Sequence, residues 1–212
     1  MAAAERVAGE IVASGGRARA VQADVSSPGE VAEMVATIRA SLGRIGILVN
    51  NAARMDRAAW TELTVQAWDD MMAVNLRGAF LCARAVHPDM RELGGGKIVN
   101  VSSVTAELGR GAYLHYITSK AGIIGFTRGL AREVGGDNIQ VNCIMPGAIR
   151  TEDELERFPD QTALTAELLP LQAIQRRGLP DDVAEPVVFL AGSASSFITG
   201  QVVTIDGGWV LR

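Results

Sequence analysis

The sequence predicts an α/β protein with a doubly wound, Rossmann-like parallel sheet. Three observations predict this fold: a length of 212 residues, short apolar runs alternating with helical patterns, and small or polar residues after each run. This length suits a single domain, residues 1–212, with a sizeable core. Short apolar runs are typical of strands buried on both faces, and strands alternating with helices form right-handed βαβ units.

The first quarter of the chain predicts two helices and two strands. Residues 2–13 predict a helix that ends at the glycine pair Gly15-Gly16. Residues 19–24 predict a short strand, and a second helix follows the serine caps and early proline of Ser26-Ser27-Pro28. The apolar run at 45–49 predicts a strand buried on both faces.

The rest of the chain continues the alternation. It predicts helices at 67–86, 116–134 and 181–191 and strands at 97–101, 139–144 and 201–205. The first of these helices should end before Pro88, and Pro186 should kink the last one or delay its start. The polar stretch from Thr151 to about Pro170 predicts irregular structure.

Composition excludes several classes of protein. The hydrophobic fraction of 48% and charged fraction of 21% exclude a disordered or fibrous chain. A net charge of -4 argues against electrostatic binding of nucleic acid. Neither a signal peptide nor a membrane-spanning run is recognisable, and two cysteines, Cys82 and Cys143, exclude a disulfide scaffold. We therefore expect a cytoplasmic protein with neither a nucleic-acid nor a membrane partner.

Small and polar residues follow four of the predicted strands. They are Asp24-Val25, Asn50-Asn51-Ala52-Ala53, Ser102-Ser103 and Pro146-Gly147. Each group alone is ordinary turn chemistry. Ligands of open parallel sheets bind outside the carboxyl ends of the strands, so the four groups together predict a ligand cleft at this edge.

Tyr116 and Lys120 lie four residues apart, which places a phenol and an ammonium on one helix face. The alternative is a simple surface pair, but the chain contains only two tyrosines and two lysines, so a chance match is rare. A cation about 4 Å from a phenol favours the phenolate by ~4 kcal/mol, which lowers its pKa by ~3 from about 10. We therefore expect Tyr116 to act as a general acid–base near neutral pH, with Ser103 orienting a substrate oxygen.

Other reaction chemistries find less support. His87 and His115 do not pair with a serine as a nucleophile and its base would, so Ser103 is expected to orient rather than attack. The cysteines and histidines do not have the spacing of metal ligands, and no metal site is predicted.

Together these motifs resemble the short-chain dehydrogenase/reductase family, including members similar to 3-oxoacyl-carrier-protein reductases. The resemblance covers essentially the whole chain and is carried by the motifs at Asp24-Val25, Asn50–Ala53, Asn75, Ser103, Tyr116, Lys120, Asn142, Pro146–Thr151, Gly200-Gln201 and Asp206–Gly208. Ala53 departs from the glycine that is usual in the family, a change that we expect to be tolerated.

The resemblance implies a role for each matching residue. Tyr116 would be the acid/base, Lys120 would lower its pKa and bind the nicotinamide ribose, Ser103 would bind the reacting oxygen, and Asn75 would hold a water of the proton path. The implied NAD or NADP site comprises Asp24, Val25, Asn51, Ala52, Ala53, Tyr116, Lys120, Pro146, Gly147, Ile149 and Thr151. Residues 151–178 would form a mobile substrate lid. A secondary alcohol or ketone would be the substrate, and a homo-oligomer, dimer or tetramer, would pack through the two long helices.

The family's first two strands and its glycine-rich turn have no counterpart in the sequence. That turn anchors the pyrophosphate of a dinucleotide. Without these strands, the strand at 45–49 should have an unpaired, aggregation-prone edge, unless it pairs directly with the strand at 19–24. We hypothesise that the sequence is a shortened form of an active dehydrogenase. The alternatives are a catalytically inactive remnant that acts only in assembly or binding, and non-redox chemistry on the same scaffold.

Overall fold

The computed structural model describes residues 1–211 and contains one parallel sheet of four strands in the order β1-β2-β3-β4. The strands are β1 (Ile47–Asn50), β2 (Gly96–Val101), β3 (Ile139–Pro146) and β4 (Val202–Ile205). The helices are α1 (Ala2–Ala13), α2 (Pro28–Leu42), α3 (Val65–Met72), α4 (Gly78–Glu92), α5 (Thr105–Leu108), α6 (Leu114–Val134), α7 (Glu152–Arg157), α8 (Gln161–Leu168) and α9 (Pro180–Ala191). The α/β fold with a parallel sheet is confirmed.

Helices cover both faces of the sheet, and the core lies between them. On one face, α4 packs against β1 and β2 and α6 packs against β2 and β3, with Val86, Met90 and Ile98 in the same buried cluster. On the other face, α9 packs against β2 and β3, with Leu190 touching Val99. All strands are parallel, so their carboxyl ends lie along one edge of the sheet, as the sequence predicts.

The strand predicted at 19–24 is wrong, because these residues form no strand in the structure. A strand exists only through its ladder hydrogen bonds, and within residues 1–211 this segment pairs with no strand. The strand predicted at 45–49 is found as β1, at the end of the sheet. Its outer edge is unpaired, with Ile47 and Val49 exposed to 52% and 41%, so direct pairing with 19–24 is also excluded.

The helix predicted at 67–86 is longer than expected and passes through Pro88. It runs as α3, one turn of π-helix over Ala73–Arg77, and α4, which ends at Glu92. A proline inside a helix costs about 3 kcal/mol because a backbone hydrogen bond is lost. Tertiary packing offsets this cost: Met90 is buried in the core, and the Asp89 carboxylate accepts hydrogen bonds from Arg39 and from the amide of Ile45.

The segment after β3 is more regular than its polar composition indicates. The expectation of irregular structure from Thr151 to Pro170 is wrong, because α7 and α8 occupy most of it. Both helices begin at side-chain caps, where the Thr151 hydroxyl accepts from the Glu154 amide and the Asp160 carboxylate accepts from the Ala163 amide. The last helix also starts without delay, at Pro180, and continues through Pro186.

The remaining predicted helices agree with the structure within a few residues. α1 ends at Ala13, just before the glycine pair, and Gly15 adopts a left-handed conformation with φ of 88°. α2 begins at Pro28, with the Ser27 hydroxyl accepting from the amide of Glu30. Within residues 1–211, no helix combines the length and the apolar character that crossing a membrane requires.

Candidate active site

A cleft of about 200 Å³ opens where β2 and β3 end and α6 begins. Ser103 and Tyr116 lie in its wall together with Gly147, Ile149 and Thr151. The other lining residues are Met55, Val104, Thr105, Leu108, Arg110, Tyr113, Ala148, Asp153, Glu154, Arg157, Phe158 and Trp209. The structure therefore brings together residues from both of the motif groups that the sequence places after β2 and β3.

Helix α6 is attached to the end of β2 by two reciprocal hydrogen bonds. The Ser102 hydroxyl donates to the carbonyl of Lys120 at 2.8 Å, and Lys120 Nζ donates to the carbonyl of Val101 at 2.9 Å. Deeper in the core, the Asn100 side chain donates to the Thr127 hydroxyl at 2.9 Å. These bonds fix the rotation of α6 and so fix the direction in which Tyr116 faces.

Tyr116 is almost completely buried at the base of this cleft. Burial raises the pKa of its phenol above the ordinary value, and a hydrogen bond with Ser103 opposes this by lowering it. The nearby Tyr113 raises the pKa further, whereas the charge of Arg157 lowers it. Burial is the largest of these effects, so the phenol is protonated at neutral pH in this structure.

Lys120 does not act on Tyr116 as the sequence argument expects. Its Nζ lies 5.7 Å from the centroid of the Tyr116 ring and donates a hydrogen bond to the Val101 carbonyl. The expected lowering of the Tyr116 pKa is therefore not observed in the chain without cofactor. Burial lowers the pKa of Lys120 itself to about 8, and the nearby Cys143 has a smaller, opposing effect.

Ser103 follows the carboxyl end of β2 and starts the turn that leads to α5. Its hydroxyl oxygen accepts hydrogen bonds from the Thr105 amide at 3.3 Å and the Thr105 hydroxyl at 3.0 Å. Two donors on this oxygen leave the hydroxyl hydrogen of Ser103 directed elsewhere. The serine can therefore donate to an oxygen atom in the cleft.

Asn75 lies in the π-helical turn between α3 and α4, and its side chain is buried. Its amide group binds the backbone of Arg54 through both ends, accepting at 2.7 Å and donating at 3.0 Å. It also donates to the Ser119 hydroxyl at 3.0 Å, and that hydroxyl donates to the Tyr116 carbonyl. Asn75 thus connects the loop after β1 to the helix that carries Tyr116.

The predicted adenosine end of the cofactor site lies near a second, smaller cavity of about 20 Å³. Val25, Asn50 and Ala52 line it together with Asn75 and Lys120. Asp24 is the residue before Val25 and does not line this cavity itself. Hydrogen bonds from the backbone and hydroxyl of Ser26 lower the pKa of the Asp24 carboxyl. Asn51 and Ala53 are exposed in the loop that follows β1.

The predicted nicotinamide residues follow β3 directly. Gly147 packs so tightly on Asp206 that a Cβ there would lie 2.7 Å from the Asp206 Cβ. Ile149 pairs with Gly178 in an isolated bridge, which joins the two ends of the 151–178 segment. Thr151 caps α7. Pro146 is the last residue of β3.

Several cleft residues could not be identified from the sequence. Arg110, Tyr113, Arg157, Phe158 and Trp209 come from separate turns and helices and match no motif, so only the folded chain brings them together. Asn100 and Thr127 were also missed, although an asparagine inside the apolar run of β2 was a usable signal for a buried polar contact.

The residues present fit one half of a dinucleotide. Tyr116, Gly147 and Thr151 line the cleft with donors and a small residue, and Lys120 lines the smaller cavity. A turn with several glycines leading from a strand into a helix, which would anchor a pyrophosphate, is absent from residues 1–211. Within the same range, no three histidine, cysteine or acidic side chains are grouped as metal ligands.

Comparison with known proteins identifies the family of this chain. A family model described as enoyl-(acyl carrier protein) reductase matches residues 1–210. The 3-oxoacyl-[acyl-carrier-protein] reductase of Synechocystis is 37% identical over 99% of this chain and 83% of its own length. D-xylose 1-dehydrogenase of Caulobacter vibrioides is 38% identical over 84% of this chain and 71% of its own length.

A solved structure agrees with these relatives. The gluconate 5-dehydrogenase of Burkholderia cenocepacia, in complex with NADP and tartrate, has a TM-score of 0.89 and 32% sequence identity, over 96% of this chain and 80% of its own. The family model and the Synechocystis reductase match nearly the whole chain and so include the cleft described above. The chain therefore belongs to the short-chain dehydrogenase/reductase family of NAD(P)-dependent oxidoreductases.

Proposed function

We propose that this protein interconverts a secondary alcohol and a ketone, with Tyr116 as the general acid and base. The observation that supports this most strongly is the buried Tyr116 phenol, which lines the same cleft as Ser103. In the reducing direction, the phenol donates its proton to the carbonyl oxygen. Burial raises the pKa of Tyr116, so the group is protonated and ready to act as the acid.

Ser103 orients the reacting oxygen in this proposal. Its oxygen already accepts two hydrogen bonds from Thr105, so Ser103 would interact with the substrate oxygen as a donor. Donation from both Ser103 and Tyr116 to one oxygen polarises the carbonyl and stabilises the negative charge that develops there. A nicotinamide cofactor bound in this site would supply or accept the hydride.

Lys120 and Asn75 return the proton to Tyr116. Lys120 has a pKa of about 8, so its ammonium can lose a proton near neutral pH and regain one. Its Nζ also has hydrogens beyond the one donated to Val101, and these would bind the nicotinamide ribose. Asn75 would hold the water that extends this path toward solvent.

The cofactor would bind along the carboxyl edge of the sheet. Asp24 and Val25 would contact the adenine, Asn51, Ala52 and Ala53 the adenosine ribose, and Pro146, Gly147, Ile149 and Thr151 the nicotinamide and phosphates. Similar proteins have been solved with NADP and with NADPH, and NAD remains an equal candidate here. Residues 151–178 would form the substrate lid on the single domain of residues 1–212. The protein would be a cytoplasmic homo-oligomer whose subunits pack through the two long helices.

An inactive binding or assembly protein is the second candidate. It is favoured by the unpaired apolar edge of β1 and by the absence of a glycine-rich anchor within residues 1–211. A chain that bound cofactor only through its nicotinamide end would lose the interactions of the pyrophosphate, which are strong because they are charge-assisted.

Titration with NADH and NADPH separates the two candidates. The oxidoreductase predicts saturable enhancement of nicotinamide fluorescence and cofactor oxidation when a panel of ketones is added. An inactive protein predicts neither signal. Saturable binding with no turnover of any ketone in the panel would contradict the proposed reaction while leaving the cofactor site in place.

A further inference from the structure

Thr105 lies in the wall of the active-site cleft, and it does not touch the reacting atoms in the proposed reaction. It is the first residue of α5, two positions after Ser103. Two hydrogen bonds join it to the Ser103 hydroxyl oxygen, one from its backbone amide at 3.3 Å and one from its own hydroxyl at 3.0 Å. The side chain proposed to orient the substrate oxygen is therefore itself held by Thr105.

The two bonds differ in what they require of residue 105. The amide bond belongs to a common turn in which a serine hydroxyl accepts from the backbone two residues later, and every residue except proline could provide it. At 3.3 Å it is also slightly longer than the usual range for an amide donor. The bond from the hydroxyl needs a serine or a threonine at this position. The threonine side chain thus adds a second, shorter bond to Ser103.

The hydrophobic core fixes the backbone on both sides of Thr105. Val104 belongs to a buried cluster that includes Met145, and Ala106 packs against the same cluster. The Val104 amide also donates to the carbonyl of the last residue of β3 at 3.0 Å. A β-branched side chain on a fixed backbone has few rotamers, so the Thr105 hydroxyl is held beside Ser103.

The bonds from Thr105 decide how the Ser103 hydroxyl can interact. A serine hydroxyl has one hydrogen to donate and two positions that accept. With two bonds from Thr105 on the accepting side, Ser103 is left to act as a donor. A hydroxyl that accepts hydrogen bonds is also a stronger donor, because neighbouring bonds polarise one another.

This donor role extends to Tyr116. Burial has the largest effect on the pKa of the Tyr116 phenol and raises it, whereas a side-chain hydrogen bond with Ser103 lowers it. Donation to the phenol oxygen favours the charged form, which accounts for the lowering. A change in how Ser103 is held should therefore be measurable at Tyr116.

We propose that Thr105 is a positioning residue whose hydroxyl holds Ser103 as a hydrogen-bond donor, toward the Tyr116 phenol in the free chain and toward the substrate oxygen in the complex. The part that concerns the substrate rests on the proposed function, and the part that concerns Tyr116 does not. The inference adds no chemical step to the proposed reaction.

Ionisation of Tyr116 tests the inference without substrate or cofactor. The chain has two tyrosines, so Tyr113→Phe leaves Tyr116 as the single phenol, and carbon NMR of ring-labelled tyrosine then reports its pKa. In this background, Thr105→Val keeps the shape of the side chain and removes the hydroxyl, so it should raise the pKa of Tyr116. Thr105→Ser keeps the hydroxyl and should leave the pKa unchanged. If valine prevents folding, Thr105→Ala makes the same test.

Thr118→Val is the matched control. The Thr118 hydroxyl also donates a hydrogen bond, but to the Leu114 carbonyl of its own helix at 2.8 Å, and Thr118 does not line the cleft. This variant should leave the pKa of Tyr116 unchanged. Circular dichroism shows whether each variant keeps the fold. The charged groups around the phenol are the same in all variants: Arg110, Lys120, Asp153, Glu154 and Arg157.

Turnover extends the test to the substrate oxygen. With a ketone that the parent chain reduces, Thr105→Val should lower kcat about five- to tenfold, the usual effect of one hydrogen bond on a barrier. The affinity for NADH or NADPH should stay the same, because Thr105 would not touch the cofactor. Thr105→Ser should restore most of the lost kcat, which a general loosening of the fold would not produce.

The possible outcomes separate this inference from the proposed function. An unchanged pKa of Tyr116 in Thr105→Val, an equal rise in Thr105→Ser, or a kcat of Thr105→Val equal to that of the parent would each overturn the inference. If the pKa rises only when the hydroxyl is removed, and the parent reduces no ketone with either cofactor, the role of Thr105 at Tyr116 stands and the proposed reaction fails. If the parent reduces ketones and the pKa is the same in every variant, the reaction stands and the inference is wrong.

Discussion

Residues 96–150 and residues 1–24 of this chain are built in opposite ways. In the first region, β2, β3 and α6 bury most of their apolar side chains, and Ser102, Lys120 and Asn100 bond the helix to the sheet. In the second region no residue is buried, and α1 packs no side chain into the core. The residues proposed for chemistry lie almost entirely in or beside the first region.

The difference shows what positions a reactive group. Tyr116 is fixed because its helix is bonded to a strand that is itself paired on both sides. A helix of twelve residues such as α1 is marginal when it has no packed face, since propagation alone barely offsets nucleation. The catalytic end of the site should therefore tolerate changes in residues 1–24 much better than changes in the core of α6.

The segment 151–178 offers the largest expected contrast, between the adjacent arginines Arg176 and Arg177. Arg177→Met should destabilise the chain by about 3–5 kcal/mol, because it leaves the Glu154 carboxylate buried without its partner. Arg176→Met is the control: its pair with Asp182 is exposed, and its loss should cost no more than about 1 kcal/mol. Chemical denaturation measures both.

A double variant shows whether charge burial is the cause. Arg177→Met combined with Glu154→Leu removes both charges and should recover most of the stability lost in Arg177→Met. If the double variant is as unstable as the single one, packing of the arginine rather than pairing of the charges stabilises the segment 151–178.

Matched isoleucines on two helices give the next largest effect. Ile123→Ala in α6 should destabilise the chain by about 2–5 kcal/mol, because Ile123 is buried against the sheet. Ile11→Ala in α1 should change stability by less than about 0.5 kcal/mol, because that side chain is exposed. Similar losses from the two substitutions would show that residues 1–24 are packed against the rest of the chain.

Lys120 should have a smaller effect on the stability of the chain, and this effect should depend on pH. A pKa lowered by burial from 10.5 to about 8 corresponds to a penalty on the charged form of about 3 kcal/mol. Below pH 8 the folded and unfolded chains both hold this proton, and the penalty is complete. Between pH 8 and 10.5 the unfolded chain binds more protons, so stability rises with pH.

Lys120→Met should therefore stabilise the chain at pH 7 by about 1–3 kcal/mol, reduced by the loss of the bond to Val101. The gain should disappear as the pH approaches 10. Denaturation curves at pH 7 and pH 10 measure it. A gain that is the same at both pH values would show that Lys120 is not buried with its charge.

The sequence predicted the elements whose signals are local. Ser27 and Pro28 mark the start of α2, and the apolar runs mark all four strands of the sheet. The strand at 19–24 failed because pairing depends on a neighbour that a local pattern cannot reveal. Pro88 failed as a helix end because burial of Met90 and the bonds of Asp89 outweigh the loss of one backbone hydrogen bond.

The site was predictable as a set of motifs but not as an electrostatic environment. Ser103 and Tyr116 meet in one cleft, as their positions after β2 and on α6 suggest. The Tyr116 pKa was misjudged, since distance along a helix does not reveal burial or the bond that draws Lys120 to Val101. Arg110 and Arg157 were missed because they approach Tyr116 only through the folding of separate turns.

Replacing Tyr116 by phenylalanine tests the central claim most directly. Tyr116→Phe keeps the ring and removes only the hydroxyl, so fold and cofactor binding should be retained. With a ketone that the parent chain reduces, kcat should fall about 10²–10⁴-fold, the usual contribution of a general acid. Turnover equal to that of the parent chain, with the same cofactor affinity, would contradict the assignment of Tyr116 as the proton donor.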